Sequence, residues 1–332
     1  MQRRTALLAG ASWLGMPAAA WAQPSTRNIR IGILFGDGPL PHEETALREG
    51  LRELGYAEGR NLVIERRYAE GRVQLVPGYA RELAAMNLDA VISTCTPTTR
   101  VAMQAFGSTP ASTPIIMAAV ADPVGQQLIA SLARPGANVT GLASQAEDIV
   151  PKMLELLGQV LPKAPTVAVL VDSGSAVHPR MWRALGPIAQ RLNIQLVKVE
   201  AGRKPSDGTL PDAFDAAVAQ RAAGMLVLPD EPYFVARRAD IAALAARHRL
   251  AAIYGLREYV DEGGLMSYGE NMRTVFRDVA TYVARVAGGA RPGDLPVSQP
   301  TRFDLVVNLG VARALGVSVP QTLLLSATEV VR

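Results

Sequence analysis

Apolar and polar positions alternate in blocks along the chain from residue 28 to about residue 144. Short runs rich in β-branched residues, such as NIRIGILF (28–35) and TPIIMAAVAD (113–122), alternate with amphipathic segments such as HEETALREGLRELG (42–55). Continuously apolar runs of this length are typical of strands buried on both faces, while the amphipathic segments have the period of helices. The pattern predicts a parallel sheet covered by helices on both faces, with right-handed connections between its strands.

The same alternation begins again after about residue 144, with apolar runs from TVAVLVD (166–172) to LAAIYG (250–255). No residue-level repeat relates the two halves, so only the architecture is repeated. Two α/β lobes in one chain predict a ligand cleft between them, at the carboxyl ends of the strands. One predicted helix is PVGQQLIASLARPG (123–136), with Asp122 as its cap.

Residues 1–22 have the pattern of an export signal. Arg3 and Arg4 precede an apolar stretch that is too short for a comfortable membrane span, and the sequence AWA at residues 20–22 fits a cleavage site. We predict cleavage after Ala22 and a periplasmic location. The arginine pair fits both twin-arginine export and the general secretory route, which remain alternatives.

Composition narrows the function classes. The chain has 34 basic and 30 acidic residues, and the excess falls further once Arg3 and Arg4 are removed, which argues against a nucleic-acid partner. Cys95 is the only cysteine, so neither an intramolecular disulfide nor a cysteine metal cluster is expected. None of the three histidines has a second His or Cys at ligand spacing. We therefore expect no metal and no cofactor. We also expect the protein to be a monomer.

Enzyme motifs are incomplete in this sequence. His178 follows Ser173 and Ser175, but no G-x-S-x-G elbow surrounds either serine. The segment GDGPLP (36–41) has only the first two glycines of a dinucleotide-binding loop, and no Walker A motif occurs. We predict that the protein is not an enzyme.

Six segments that follow predicted strands carry polar, small, Gly and Pro residues. They are FGDGPLP (35–41), STCTPTT (93–99), AVADPVG (119–125), VDSGSA (171–176), LPDEPYF (228–234) and YGLREY (254–259). Backbone N–H groups at helix starts, beside Ser, Thr or Asp, suit a carboxylate or another polar head group. The same residues are favoured helix caps, so capping is the alternative for any single segment. Their common position at strand ends favours a shared cleft.

These segments, together with Tyr268 of the later segment GLMSYG (264–269), provide the predicted ligand-binding residues. The set is Gly36, Asp37, Thr96, Thr98, Ala121, Asp122, Ser173, Asp230, Tyr233, Arg257 and Tyr268. We expect Thr96 and Thr98 to hold the polar head of the ligand, and at least one aromatic ring to pack on its apolar part. Arg257 is expected either to pair with the ligand's anion or to tie the lobes together through a carboxylate.

Four segments carry a family resemblance. They are GLRELGYAEGRNLVIERRYAEG (50–71), ADPVGQQLIASLARPGANVTGL (121–142), AARHRLAAIYGLREYVDEGGLMSYG (245–269) and LPVSQPTRFDLVVNLGVARALGVSVP (295–320). Through them the chain resembles the ABC-transporter substrate-binding proteins of the tryptophan/phenylalanine-binding type. The segments FGDGPLP (35–41) and HPRMW (178–182) depart from the family pattern.

The resemblance implies a type I periplasmic binding fold, with two Rossmann-like lobes whose parallel sheets are joined by a three-crossing hinge. The implied N-terminal lobe comprises residues 28–143 and 266–297, and the implied C-terminal lobe comprises residues 144–265 and 298–332. The implied function is that of the periplasmic component of an ABC importer, which delivers an amino acid, aromatic or not, or a related small carboxylate to an inner-membrane ABC permease. The alternative is an exported sensor that presents a bound solute to a membrane signalling partner.

Overall fold

The computed structural model describes residues 27–109, 111–163, 165–202 and 208–332. The predicted signal peptide and its cleavage site lie outside these residues. Within the described part, the chain forms two sheets, each covered by helices. None of the helices in these ranges combines the length and the apolar character that a membrane crossing needs.

The first lobe contains a five-stranded, wholly parallel sheet with the strand order β2-β1-β3-β4-β5. Its strands are β1 (Ile29–Phe35), β2 (Leu62–Tyr68), β3 (Ala90–Thr94), β4 (Ile115–Ala121) and β5 (Val139–Ser144). Its helices are α1 (Pro41–Glu53), α2 (Val76–Ala84) and α3 (Thr96–Phe106). In the centre, Ile31 of β1 lies opposite Ile64 of β2 and Ala90 of β3. Strands β3 and β4 are buried almost throughout, because helices cover both faces of the sheet.

The second lobe contains a seven-stranded sheet with the order β12-β11-β10-β9-β8-β6-β7, in which only the β10-β11 pairing is antiparallel. Its strands are β6 (Thr166–Val171), β7 (Gln195–Glu200), β8 (Gly224–Val227), β9 (Ala251–Tyr254), β10 (Met266–Gly269), β11 (Asp304–Asn308) and β12 (Glu329–Val331). The remaining helices are α4 (Ala146–Gly158), α5 (His178–Leu192), α6 (Leu210–Ala219), α7 (Pro232–Ala236), α8 (Arg238–Arg247), α9 (Glu258–Asp261), α10 (Met272–Ala287), α11 (Leu309–Leu315) and α12 (Gln321–Ser326).

Helix α10 packs on the first lobe although it follows a strand of the second. It contacts α1 along its length, and the Phe276 ring meets the Phe35 ring edge-on at a centroid distance of 5.6 Å. Both side chains are fully buried in the first-lobe core. The chain therefore crosses between the lobes three times, after β5, after β10 and before β11.

The second crossing comes four residues later than the resemblance implied. Residues 266–269, which the resemblance placed in the N-terminal lobe, form β10, which pairs with β9 and β11 of the second lobe. Gly269 is needed there, because a Cβ at this position would lie 1.8 Å from the Gly255 carbonyl oxygen. The crossing therefore follows Gly269.

The predicted helix at residues 123–136 is absent; residues 123–127 form turns and residues 128–130 a bend. Asp122 and Gln127 have φ angles of 41° and 57°, which are incompatible with a right-handed helix. The turns nevertheless bury Leu128 and Ile129 in the first lobe. Asp122 consequently caps no helix, although its Oδ1 accepts a hydrogen bond from the Gly125 N–H at 2.9 Å.

Candidate ligand-binding site

The carboxyl ends of strands from both sheets border a cleft between the lobes. The empty space between its walls is about 880 Å³ when the open mouth is counted. The first lobe and the crossings line it with Asp37, Leu40, Glu43, Thr94, Cys95, Ala118, Ala119, Ser144, Glu270 and Met272. The second lobe lines it with Ala146, Ile149, Val227, Leu228, Pro229, Asp230, Glu231, Pro232, Val235, Gly255, Leu256, Glu258 and Tyr259.

Asp37 is a buried carboxyl on the first-lobe wall. It follows β1 by two residues, is 7% exposed, and its Oδ1 has no hydrogen-bond partner among the described residues. Burial raises the pKa of Asp37 to about 7, against the lowering effects of a backbone hydrogen bond and of Arg238. A buried carboxyl without a partner is costly, so this oxygen is suited to receive a donor from a ligand.

The carboxyls of Glu43 and Glu258, from different lobes, form a neighbouring pair in the cleft, the first buried and the second half-buried. Glu43 lies in the first turn of α1 and is 1% exposed, while Glu258 begins α9. Burial, and next a hydrogen bond with the Glu43 carboxyl and the charge of that carboxyl, raise the pKa of Glu258 to about 7. Glu43 Oε1 and Glu258 Oε2 lack hydrogen-bond partners in the part of the chain that the structure describes. A cation between them would relieve this repulsion.

Thr96 joins the two lobes at the start of α3. Its hydroxyl, Oγ1, lies 3.0 Å from the Ala121 carbonyl oxygen and 3.3 Å from Oδ2 of Asp230, which belongs to the second lobe. Thr98 makes a different contact, since its hydroxyl lies 3.1 Å from Cys95 Sγ, and its side chain does not line the cleft.

Gly36 marks a second point of contact between the lobes. A Cβ at this position would lie 2.9 Å from Thr98 Oγ1 and 3.0 Å from Cβ of Pro232, which begins α7. The space available for residue 36 is therefore set by a residue of the opposite lobe. The close approach of Gly36 to Pro232 and the contact between Thr96 and Asp230 bring the two lobes together in a closed arrangement.

The loop after β8 supplies two more carboxyls. Asp230 has a φ of 64°, and burial, followed by the neighbouring Glu231 carboxylate, raises its pKa well above the usual range. The Glu231 carboxylate accepts a hydrogen bond from the Tyr233 N–H at 3.2 Å and so caps α7. The buried His178 ring holds this loop in place, because its Nε2 lies 2.9 Å from the Pro229 carbonyl oxygen.

Glu270 lies at the second crossing and accepts hydrogen bonds from the first. Its Oε1 receives the Ser144 hydroxyl at 2.7 Å and the Gln145 N–H at 2.8 Å. Burial raises the pKa of Glu270, although both hydrogen bonds lower it. Two crossings are thereby fixed to each other at the base of the cleft.

Asp122 takes part in an ion-pair group at the rim of the cleft. Its carboxylate pairs with Arg180 of α5, and Arg180 Nε also lies 3.2 Å from Glu147 Oε2 of α4. Asp122 belongs to the first lobe and the other two residues to the second, so the pair connects the lobes. These residues border a separate surface pocket rather than the main cleft.

Of the eleven predicted site residues, Asp37 and Asp230 line the cleft. Gly36, Thr96, Thr98, Ala121 and Asp122 are outside the lining, and four more are also outside it. Ser173 is exposed in the loop after β6, and Tyr233 is half-buried in α7. Tyr268 packs against Phe303, with 5.8 Å between ring centroids. Arg257 lies 2.7 Å from Glu329 and 3.5 Å from Asp261, and both carboxylates belong to the second lobe.

Sequence reasoning missed Glu43 and Glu270. A signal for Glu43 was present, because it falls between Leu40 and Leu47 on the buried stripe of α1, where a charged residue is unusual. The described cleft lining contains one aromatic ring, that of Tyr259, which stacks on Tyr254 at a centroid distance of 4.6 Å. No group of three His, Cys, Asp or Glu side chains arranged to hold a metal ion occurs within the described ranges.

Comparison with known proteins assigns the chain to a family. The family model for ABC transporter substrate binding proteins matches residues 33–331. A tyrosine-binding protein of Clostridioides difficile (strain R20291) is 24% identical over 289 residues, covering 87% of this chain and 81% of the relative.

Solved structures have the same fold. A conserved domain protein from Vibrio cholerae has 28% identity and a TM-score of 0.79, covering 92% of this chain and 100% of that one. An ABC domain in complex with L-Trp from Streptococcus pneumonia has 22% identity and a TM-score of 0.78, with the same coverage. A ligand-free, open substrate-binding protein from Clostridium difficile has 23% identity and a TM-score of 0.62, covering 91% of this chain and 99% of that one. The predicted type I periplasmic binding fold is confirmed, and the chain belongs to the family of ABC transporter substrate binding proteins.

Proposed function

We propose that this protein is the periplasmic component of an ABC importer, which captures a small solute carrying an amino group and delivers it to an inner-membrane permease. The observation that carries the proposal is the cleft between two lobes, into which buried carboxyl oxygens of Asp37 and Glu43 project without partners among the described residues. An ammonium group has three donors and a positive charge, so it satisfies such oxygens. The names of two relatives, a tyrosine-binding protein and an L-Trp complex, agree with an amino-bearing solute.

Closure of the two lobes around the ligand is the change that the permease recognises. The lobes meet through the Thr96–Asp230 contact and the Asp122–Arg180 ion pair. A ligand that touches both walls favours the closed state by its differential affinity for it. The permease then distinguishes loaded from empty protein by the relative position of the lobes.

The test is a ligand screen followed by an uptake measurement. Residues 23–332, the predicted mature chain, are screened by thermal shift against amino acids, amines and small carboxylates, because a ligand of the folded state raises Tm. The solute that raises Tm should also reduce the radius of gyration in small-angle scattering. A strain lacking the protein should lose uptake of that solute, and the wild-type gene should restore it. Unchanged uptake with loss of a signalling response would instead establish the sensor alternative.

A further inference from the structure

We propose that the ligand is a linear diamine, with two ammonium groups joined by an aliphatic chain and no carboxylate. This inference rests on the proposed function, because it names the substrate class of the same cleft. It depends on the charge of the lining, on what occupies the start of α3, and on the distribution of the carboxyls.

The charge of the lining is one-sided. Six carboxyl groups line the cleft, and the described lining contains no Lys, Arg or His; the carboxyls are those of Asp37, Glu43, Asp230, Glu231, Glu258 and Glu270. Two nearby arginines are outside the lining and already paired, Arg238 with Glu262 at 3.5 Å and Arg180 with Asp122 and Glu147. An amino-acid carboxylate would enter this site without a countercharge, and burying it would be costly.

The start of α3 is the place where a ligand carboxylate would be expected, because helix N-termini bind anions. In this structure the Thr96 hydroxyl, at that start, lies 3.3 Å from Asp230 Oδ2 of the opposite lobe. The protein's own carboxyl therefore lies beside the residue that the sequence predicted to hold the ligand's head group. A ligand carboxylate would have to displace it in a cleft whose described lining has carboxyls but no Lys, Arg or His.

The carboxyls form two groups. In one group Glu258 acts electrostatically on Asp37, and Glu43 acts on Glu258. In the other, Glu231 and Glu270 act on Asp230. The first group comes from the loop after β1 and the starts of α1 and α9, while the second comes from the loop after β8 and from the second crossing.

The lining of the cleft also contains apolar side chains. Leu40, Ile149, Val227 and Met272 line the same cleft, so a chain of methylene groups would have an apolar surface to lie against. Each carboxyl group would then receive one ammonium. The unpartnered Asp37 Oδ1 and Glu43 Oε1 provide acceptors for the first of them.

Isothermal titration calorimetry on residues 23–332 tests the proposal with matched probes. We compare 1,5-diaminopentane and 1,4-diaminobutane with 1-aminopentane, which lacks one charge, and with 5-aminopentanoate, which replaces one amine by a carboxylate. L-tryptophan and L-tyrosine represent amino acids. We expect a diamine to bind roughly 30-fold or more tightly than every other probe, since losing one partner of a buried charge pair costs at least that factor.

Variants locate the site. Asp37→Asn and Asp230→Asn each remove one charge from a different carboxyl group and should each weaken diamine binding by roughly 30-fold. Glu49→Gln, an exposed change on α1, is the matched control and should bind as wild type. Circular dichroism spectra confirm that each variant is folded.

The outcomes separate the two proposals. If L-tryptophan, L-tyrosine or 5-aminopentanoate binds as tightly as the diamines, the diamine inference is overturned while the proposed importer function stands. If no amine or amino acid binds, both the inference and the amino-bearing solute of the proposed function fall. If a diamine binds but both Asn variants keep wild-type affinity, binding is elsewhere and the inference is overturned.

Discussion

The substitution Asp37→Asn should make the protein more stable at neutral pH. Asp37 is 7% exposed, and burial raises its pKa from 3.8 to about 7. The folded state therefore binds this proton more tightly than the unfolded state does. The stabilising effect of the protonated group is complete below the unfolded pKa of 3.8, and it is lost as the pH rises through the folded pKa of about 7.

The magnitude follows from the two pKa values. They differ by about 3 pH units, and each unit corresponds to about 1.4 kcal/mol, so ionisation of Asp37 costs about 4 kcal/mol of folding stability. Asparagine has the shape of the neutral acid and does not ionise. The variant should therefore match wild type near pH 4 and exceed it by up to about 4 kcal/mol near pH 8. A smaller pH dependence should remain, because Glu258 also has a pKa raised to about 7.

Urea unfolding between about pH 4 and pH 8, followed by circular dichroism without ligand, measures this effect as a free energy of unfolding. Glu49→Gln is the control, since it removes an exposed carboxylate from α1. Equal pH dependence in wild type and Asp37→Asn would refute the reasoning. Lower stability of the variant near pH 8 would show that the ionised carboxylate is favourably solvated or paired in the folded protein.

Three further substitutions test the closure and the packing. Arg180→Ala removes the ion pair with Asp122. Small-angle scattering should show a shift toward the open arrangement of the lobes. Ligand affinity should fall no more than about fivefold, because an exposed ion pair contributes about 1 kcal/mol or less. An unchanged open–closed balance would remove this pair from the closure. Phe276→Ala should lower the free energy of unfolding by about 3–5 kcal/mol, because the ring is fully buried against Phe35. A loss below about 1 kcal/mol in urea unfolding would contradict that packing. Thr209→Ala removes a capping box at α6 and should cost about 1 kcal/mol in the same assay, and no loss would mean that the cap is not formed in solution.

The order of strands and helices was predictable because the apolar residues of each element lie close together in the sequence. Continuously apolar runs correctly gave parallel strands in two lobes, and Gly, Pro and Asp after the runs correctly marked their carboxyl ends. Asp37 and Asp230 were located in this way and line the cleft, and the Thr96 hydroxyl lies 3.3 Å from Asp230 Oδ2. That these residues bind a ligand stays a prediction. These residues needed only their own segments to be located.

Local pattern failed where a distant partner decides the conformation. The run at residues 123–136 has the period of a helix, but the backbone turns at Asp122 and Gln127. Likewise, nothing near residues 266–269 shows that they pair with β9 and β11, so the second crossing was placed too early. Strand pairing depends on residues far apart in sequence, and periodicity does not report it.

The chemistry of the cleft was decided by tertiary structure alone. The pattern of apolar runs was enough to predict two α/β lobes and the loops at their strand ends. The crossings bring one lobe over the other and so decide which carboxyls meet in the cleft. Glu43 of α1 faces Glu258 of α9. Arg257, next to Glu258 in sequence, instead pairs with Glu329 of its own lobe. Neighbouring residues on a turn project in different directions, so proximity in sequence did not identify the charge of the site. The acidic character of the cleft appears only when loops from both lobes and the second crossing are placed together in space.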